Sequence, residues 1–201
     1  MELKNKLSKI KKDCILDNIP IIRDKTLQFI LNFVSSHNIK TILEIGTAYG
    51  YSSFAFKIFS NIEKIISLEK NKFNYEKANY YLEYMNISDV KFINIDAFEY
   101  FPNEKFDLIF MDGPKGNQIK LFEKYVSFLN PNGYIIIDNL YLNKIRLIDD
   151  NLKTKNQKSI IFKLDNFINY LKNIENYNFS IIEIDDGIGV VSKNEESKKS
   201  L

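Results

Sequence analysis

Two aspartates, an asparagine and a lysine stand where short apolar runs end. FDLIFM is followed by Asp112 and then by Gly113, Pro114, Lys115 and Gly116, while YIII is followed by Asp138 and Asn139. Two carboxylates and one amide carbonyl are hard oxygen ligands, a set that suits Mg²⁺ or Ca²⁺ better than Zn²⁺, which usually takes His or Cys. Three protein oxygens leave positions on an octahedral cation for water and a bidentate substrate. Lys115 follows Asp112 closely enough to approach a group held by that cation. A lysine beside a divalent cation loses proton affinity and can accept a proton. An Asp-Asn pair alone is common in turns and helix caps. The partner aspartate after the preceding run is what favours a metal.

Earlier runs end in acids too. LEIGTAYGYSS places Glu44 two residues before Gly46, with Gly50 beyond it. The spacing is not G-x-G-x-x-G, which disfavours a pyrophosphate cradle. A carboxylate ahead of a glycine turn suits a cationic group instead, such as the α-amino group of S-adenosylmethionine. Glu69 ends KIISLE, and a carboxylate at the end of a second strand can accept both ribose hydroxyls of a nucleoside. Asp96 and Ala97 follow VKFINI, placed to reach an adenine ring by side chain or backbone. Each acid alone reads as an ordinary polar strand end; three in succession, with a glycine turn at the first, indicate a nucleotide-type cofactor.

These residues need a scaffold that brings strand ends together. Apolar runs at 41–45, 64–69, 90–95, 106–111 and 134–138 alternate with helical patterns at 50–60, 72–85 and 117–129. That alternation predicts a doubly wound, Rossmann-like α/β fold whose parallel strands are covered on both faces. Residues 2–17 and a stretch from Pro20 to about Asn38 read as two preceding helices. After the fifth run, the spacing predicts a long helix over 156–173. FSIIEI (179–184) and IGVVS (188–192) follow, joined by Asp185-Asp186-Gly187, a hairpin signal. The expected sheet therefore has seven strands, mostly parallel, with an antiparallel C-terminal hairpin. We divide the chain into N-terminal helices (1–38), a catalytic domain (39–193) and a disordered tail (194–201).

Composition limits the alternatives. The 201 residues are 45% hydrophobic and 27% charged, enough apolar material for one sizeable core. Only 7 glycines and 4 prolines argue against low-complexity or collagen-like chains. A formal net charge of +2 is too even to imply a polyanionic partner by itself. The single cysteine, Cys14, excludes an internal disulfide and reads as a small apolar filler. The one histidine, His37, falls at a helix end far from the acids. No apolar run approaches the ~20 residues of a membrane span, and the N-terminus lacks a signal-peptide core. We expect a cytoplasmic protein without membrane contact.

Together these motifs resemble the cation-dependent, catechol O-methyltransferase-like family of S-adenosylmethionine-dependent enzymes. LEIGTAYGYS is similar to that family's glycine string, Asp112, Asp138 and Asn139 match its metal triad, and Asp112-Gly-Pro-Lys115 matches its D-x-x-K. The likeness runs from about residue 17 to 193. It implies a class I methyltransferase fold, with Asp112 and Lys115 as the catalytic pair and Lys115 as general base. For S-adenosylmethionine it implies contacts from Ile22, Glu44, Gly46, Ser52, Glu69, Asp96, Ala97 and Asp112. Mg²⁺ or another divalent cation is expected at Asp112, Asp138 and Asn139.

Within the family, Ile19-Pro20-Ile21, DGPKG, DNLYLNK and the IDDGIGVVSK ending most resemble members that methylate 5-hydroxyuridine at the tRNA wobble position. That likeness implies a tRNA anticodon loop as partner. Gly113-Pro114 stands where relatives often carry two alanines, and the segment after Asn139 is rich in lysine rather than arginine. Lys144, Arg146, Lys153, Lys155, Lys158 and Lys163 fall between residues 144 and 163, opposed only by Asp149 and Asp150. The first five are the expected RNA contacts, through phosphates; a solvated helix face would look similar. A small catechol-like substrate and a non-catalytic RNA-binding scaffold are the competing readings. The N-terminal helices carry more apolar surface than one sheet needs, which together with the resemblance predicts a homodimer.

Overall fold

The computed structural model describes residues 2–113 and 116–194. Five parallel strands come first along the chain: β1 (Thr41–Ile45), β2 (Lys64–Glu69), β3 (Val90–Asn94), β4 (Phe106–Met111) and β5 (Leu129–Ile137). β6 (Tyr177–Ile182) and β7 (Ile188–Lys193) close the chain as an antiparallel pair, giving the sheet order β3-β2-β1-β4-β5-β7-β6. β7 also pairs antiparallel with β5. The expected seven-stranded, mostly parallel sheet is the one observed.

Alternation along the central strands divides the core into two layers. Ile42, Leu108, Phe110 and Ile136 face one side, with Leu43, Ile45, Ile109, Met111, Ile135 and Ile137 on the other. Helices α1 (Glu2–Leu16), α2 (Asp24–Ser36), α3 (Tyr51–Phe59) and α4 (Lys72–Met85) contribute Ile10, Ile30, Phe54 and Ala78 to the first layer. Helices α5 (Gln118–Val126) and α7 (Lys155–Lys172) contribute Phe122, Tyr125 and Phe167 to the second. Burying a Leu, Ile or Phe side chain contributes roughly 1.5–3 kcal/mol, so apolar runs without polar interruption mark strands covered on both faces. Cys14 is fully buried in the first layer, where burial pushes its thiol up to about 12. It is the expected filler. No helix among the described residues is long and apolar enough to cross a membrane.

Several boundaries differ from the sequence reading: the helix expected over 117–129 is Gln118–Val126, and the strand expected over 179–184 is Tyr177–Ile182. α2 starts at Asp24, not Pro20: residues 20–23 remain non-helical, burying Ile22, and Arg23 has extended φ −74° and ψ 153°. The hairpin aspartate Asp185 accepts from Thr26 N at 3.1 Å and Thr26 Oγ1 at 3.0 Å, so a distant residue secures the helix start. β5 begins at Leu129, and its register with β4 shifts between Phe106 and Leu108, absorbing the Asn130-Pro131-Asn132-Gly133 turn within the strand. A four-residue helix, α6 (Asn143–Arg146), occupies part of the basic segment. The expected disordered tail lies outside the described residues except for Asn194, whose amide bonds Asn176 O at 2.9 Å.

β1, β2 and β3 are laid down in one direction and β4 and β5 in the other, so the order reverses between β1 and β4. In open α/β sheets, ligands enter at the carboxyl ends of the strands at such a reversal.

Candidate active site

Gly46 and Asp112 stand together at that reversal. Gly46 follows β1 with φ +108°, and a Cβ there would lie 2.5 Å from Asp112 O. Asp112 is tied back to β1 by its own amide, which donates to Ile45 O at 3.0 Å. The glycine therefore lets the chain leaving β4 pass close to the end of β1. Gly50 has a different reason. At φ +85° it precedes α3, and a Cβ would press on the Phe92 and Phe54 rings at 2.8 and 2.9 Å. Gly50 belongs to the buried packing under the turn, while Gly46 faces the cleft.

Two hollows meet at Gly46. One, about 320 Å³, is lined by Gly46, Glu69, Asp96, Ala97, Phe98 and Leu121, among others. The other is only about 20 Å³ and is lined by Ile22, Gly46, Ala48, Ser52 and Asp112 with their neighbours. Seven of the eight expected cofactor residues line one or both. Glu69 shapes the larger hollow by accepting from Ala48 N at 2.8 Å and Asn71 N at 2.7 Å. Asp96 accepts from Lys70 Nζ at 2.7 Å and from Phe98 N at 2.9 Å, and these bonds hold its pKa below the usual carboxylate range.

Glu44, the eighth, lies underneath. It is fully buried, and its carboxylate accepts from Ser52 Oγ and Ser53 Oγ on the first turn of α3 and from Ser67 Oγ on β2. Burial raises its pKa, opposed by these three hydroxyls. Here Glu44 ties β1, β2 and α3 together beneath the turn, and Ser52, half-buried, lies between it and the smaller hollow.

The metal candidates converge as the parallel register requires. Met111 pairs with Ile137, so Asp112 and Asp138 both follow the last paired residues of β4 and β5. Asp138 N bonds Met111 O at 3.1 Å, and Asn139 Nδ2 reaches Asp112 Oδ1 at 3.3 Å. Asn139 takes the left-handed φ of 61°, and its amide bonds Asp138 Oδ1 at 2.7 Å. Among the described residues, no three His, Cys, Asp or Glu side chains gather as a metal cluster. The candidate set contains two carboxylates, and its third member is an amide. A half-turn of the Asn139 amide would present its oxygen beside Asp112, so the donor set fits a hard divalent cation. Lys115 and Pro114 lie outside the described residues.

Several positioning residues carried no sequence signal. Asp186 is buried; it pairs with Arg23 and accepts from Asn143 N at 3.1 Å. Asp186 O and Gly187 O receive Tyr141 N and Leu140 N at 2.7 and 3.1 Å. The closing hairpin thus holds the chain directly after Asn139. Arg23 is held further above its ordinary pKa mainly by Asp186, with smaller contributions from Asp185 and Asp138, which places a fixed positive charge near the candidate metal residues. Lys124 Nζ bonds Ala97 O and Phe98 O at 3.0 and 2.7 Å, and Tyr125 Oη bonds Ala97 O at 2.7 Å. The Asp185-Asp186-Gly187 string reads in sequence simply as a turn; its contacts span more than 150 residues.

The five expected RNA contacts separate into two groups. Lys144, Lys155 and Lys158 are exposed. Arg146 pairs with Asp165 and donates to Tyr141 O. Lys153, with a side chain only 7% accessible, donates to Arg146 O at 3.0 Å and pairs with Asp150. These two fasten α6 and the following turn. His37 is exposed at the end of α2, stacked on Phe33 with ring centroids 3.9 Å apart.

Known proteins share this fold. A Staphylococcus aureus structure, provisionally described as a caffeoyl-CoA O-methyltransferase, superposes with a TM-score of 0.86 at 27% identity, over 94% of this chain and 92% of that one. A Bacillus cereus O-methyltransferase in complex with SAH gives a TM-score of 0.78 at 21% identity, over 94% and 91%. A Thermoplasma volcanium protein provisionally described as a cobalt-precorrin-6B C(15)-methyltransferase (decarboxylating) is 25% identical over 177 residues, 87% of this chain and 79% of its own length. That description is of methylation at carbon, so similarity at this level leaves the acceptor atom open. The family model for O-methyltransferases matches residues 2–194, and the chain belongs to the O-methyltransferase family.

Proposed function

We propose that this S-adenosylmethionine-dependent O-methyltransferase methylates the 5-hydroxyl of 5-hydroxyuridine at the wobble position of a tRNA, giving 5-methoxyuridine. The observation that carries the reading is that Asp112 belongs to two places at once. It lines the hollow shared by Gly46, Ile22 and Ser52, and it stands within 3.3 Å of Asn139 beside Asp138. A transferable methyl group and an oxygen-binding cation would therefore meet at one residue.

In this reading, Glu69 receives the ribose hydroxyls of S-adenosylmethionine and Asp96 with Ala97 receives adenine. Gly46, Ser52 and Ile22 surround its methionine portion, and Glu44 holds the turn from beneath. Asp112, Asp138 and Asn139 would hold Mg²⁺ or another divalent cation, which would supply positive charge that lowers the pKa of a neighbouring substrate hydroxyl. Lys115 Nζ accepts the hydroxyl proton. The substrate oxygen then forms a bond to the methyl carbon as the carbon–sulfur bond breaks, leaving S-adenosylhomocysteine. Alignment of donor and acceptor contributes much of the acceleration.

An unstacked anticodon base can enter such a site. Exposed Lys144, Lys155 and Lys158 lie 5, 16 and 19 residues beyond Asn139 and offer charge to flanking phosphates, whereas Arg146 and Lys153 keep that segment folded. The proposal includes a homodimer, for which exposed Ile15 and Leu16 on α1 and Tyr80 on α4 supply apolar surface. Sedimentation at twice the 23.6 kDa chain mass checks it.

The deciding experiment incubates the protein with labelled S-adenosylmethionine, Mg²⁺ and either tRNA bearing 5-hydroxyuridine or a small catechol. Label in tRNA alone is the expected result. Label only in the catechol assigns a small-molecule substrate, and no transfer to either returns the scaffold reading.

A further inference from the structure

A larger hollow, about 370 Å³, opens between the start of α5 and the middle of α7, outside the cofactor cleft. Asn117 borders both, so the two are neighbours across one residue. On the α5 side the wall is Asn117, Gln118, Lys120 and Glu123; on the α7 side it is Lys163 and Asn166, with the buried ring of Phe167. The α7 residues share a face because they are three and four positions apart.

The chemistry of this wall is mixed in a specific way. Gln118 lines the hollow and is only 6% exposed, and among the described residues its Oε1 has no hydrogen-bond partner. A buried acceptor left unpaired is costly, so a rotation of this side chain toward a ligand that supplies an N–H would recover that loss. Glu123 adds a carboxylate, which accepts from Tyr170 Oη at 3.2 Å. Lys120 and Lys163 contribute two cations, and Phe167 with Ile119 contributes apolar surface. Acceptors and apolar surface call for a flat ring bearing N–H groups; the lysines call for an anion attached to it. A nucleotide joins all three, and the hollow lies at the small end of the ~300–1,000 Å³ usual for ligand sites.

We infer that this hollow is a nucleotide-binding subsite, which takes the base of a residue flanking the methylated one, with its N–H edge toward Gln118 and Glu123 and its phosphate toward Lys120 and Lys163. The inference rests on the reading of the substrate as an RNA. It assigns α5 and α7 a part in reading the strand, since carboxamide and carboxylate side chains recognise the edges of unpaired bases. A small catechol would have no use for it.

The test uses the full-length protein with its cofactor cleft saturated by S-adenosylhomocysteine, so that added nucleotides cannot enter there. GMP, whose base presents adjacent N–H donors, is titrated while the side-chain amide signals of Asn117, Gln118 and Asn166 are followed by NMR; AMP, CMP, UMP and ribose 5-phosphate are run alongside. Saturable shifts of the Gln118 and Asn166 signals are expected with GMP, and Asn166→Phe, at an exposed position, should weaken GMP at least tenfold without changing the melting temperature. Unmoved signals with all four nucleotides would overturn the inference. So would equal shifts with ribose 5-phosphate, which would indicate an anion site that ignores the base. GMP binding here without methylation of tRNA would leave the subsite standing and remove the substrate reading; tRNA methylation with these signals silent would do the reverse.

Discussion

Replacing Gly46 by alanine tests the central geometric claim, that the cofactor turn and the candidate metal strand share one tight contact. The new Cβ would sit 2.5 Å from Asp112 O and 3.1 Å from its carbonyl carbon. Both are backbone atoms, and the Asp112 amide is itself fastened to Ile45 O, so the neighbour cannot rotate aside. Something must move by at least about half an ångström, since real Cβ contacts below ~3.0 Å are essentially absent. The φ of +108° adds strain of about 1–3 kcal/mol for a residue with a Cβ. With the displaced backbone, the loss should total about 2–4 kcal/mol, which in a chain of this size lowers the melting temperature by about 5–15 °C. Because the displaced residue is Asp112, kcat/KM should fall at least tenfold, as expected when reacting groups are misplaced by a fraction of an ångström.

Two companions make that result interpretable. Gly50→Ala meets the Phe92 and Phe54 rings, so it should lose comparable stability without a matching fall in kcat/KM. Gly116→Ala meets nothing within 4 Å and should stay within about 0.5 kcal/mol of the parent stability. Chemical denaturation and methyl-transfer kinetics on the three proteins suffice. A Gly46→Ala protein that melts within 2 °C of the parent, with kcat/KM within about twofold, would refute the shared contact.

Asp138→Ala should abolish methyl transfer while cofactor binding, read by calorimetry, stays largely intact; full activity in EDTA would remove the cation from the mechanism. Burial raises the pKa of Glu44 above that of an unfolded glutamate, so the folded state binds that proton more tightly. Its contribution is complete below the unfolded value and is lost as pH rises toward the folded one. Glu44→Gln should therefore lose less stability than the parent as pH rises above about 4.5, measured by urea midpoints, and parallel curves for the two proteins would count against it. Replacing Lys144, Lys155 and Lys158 together by Ala should weaken tRNA binding and flatten the log K against log salt slope by about 2, if each meets one single-stranded phosphate. An unchanged slope would assign those lysines to solvent.

Much of the fold was legible because both kinds of element leave a period in the chain. TILEI, KIISLE and FDLIFM are short strings with neighbouring apolar residues, as a strand covered on both faces requires, and the helices between them repeat at three and four. The start of α2 was not legible. Pro20 is a good first residue for a helix, but what holds residues 20–23 out of the helix and secures Thr26 is Asp185 and Asp186, far along the chain. The four-residue α6 is likewise held by Arg146, Lys153 and Asp165 across a fold rather than by its own propensity.

The candidate site divides in the same way. Sequence alone marked Glu44, Glu69, Asp96, Asp112, Asp138 and Asn139, because strand ends in a parallel sheet must gather at one edge and polar residues there stand out against apolar runs. It also marked Gly46 and Gly50 as one motif and six cations as one basic stretch. Tertiary structure separated them, since a glycine's reason lies in what its missing Cβ would strike and a lysine's in which acceptor it reaches. Gly46 clears Asp112 and Gly50 clears two aromatic rings; Lys153 turns inward to Arg146 O while Lys155 and Lys158 remain in solvent. Asp112 and Phe92 come from elements distant in the chain, and only packing the sheet and its layers together brings them against these glycines.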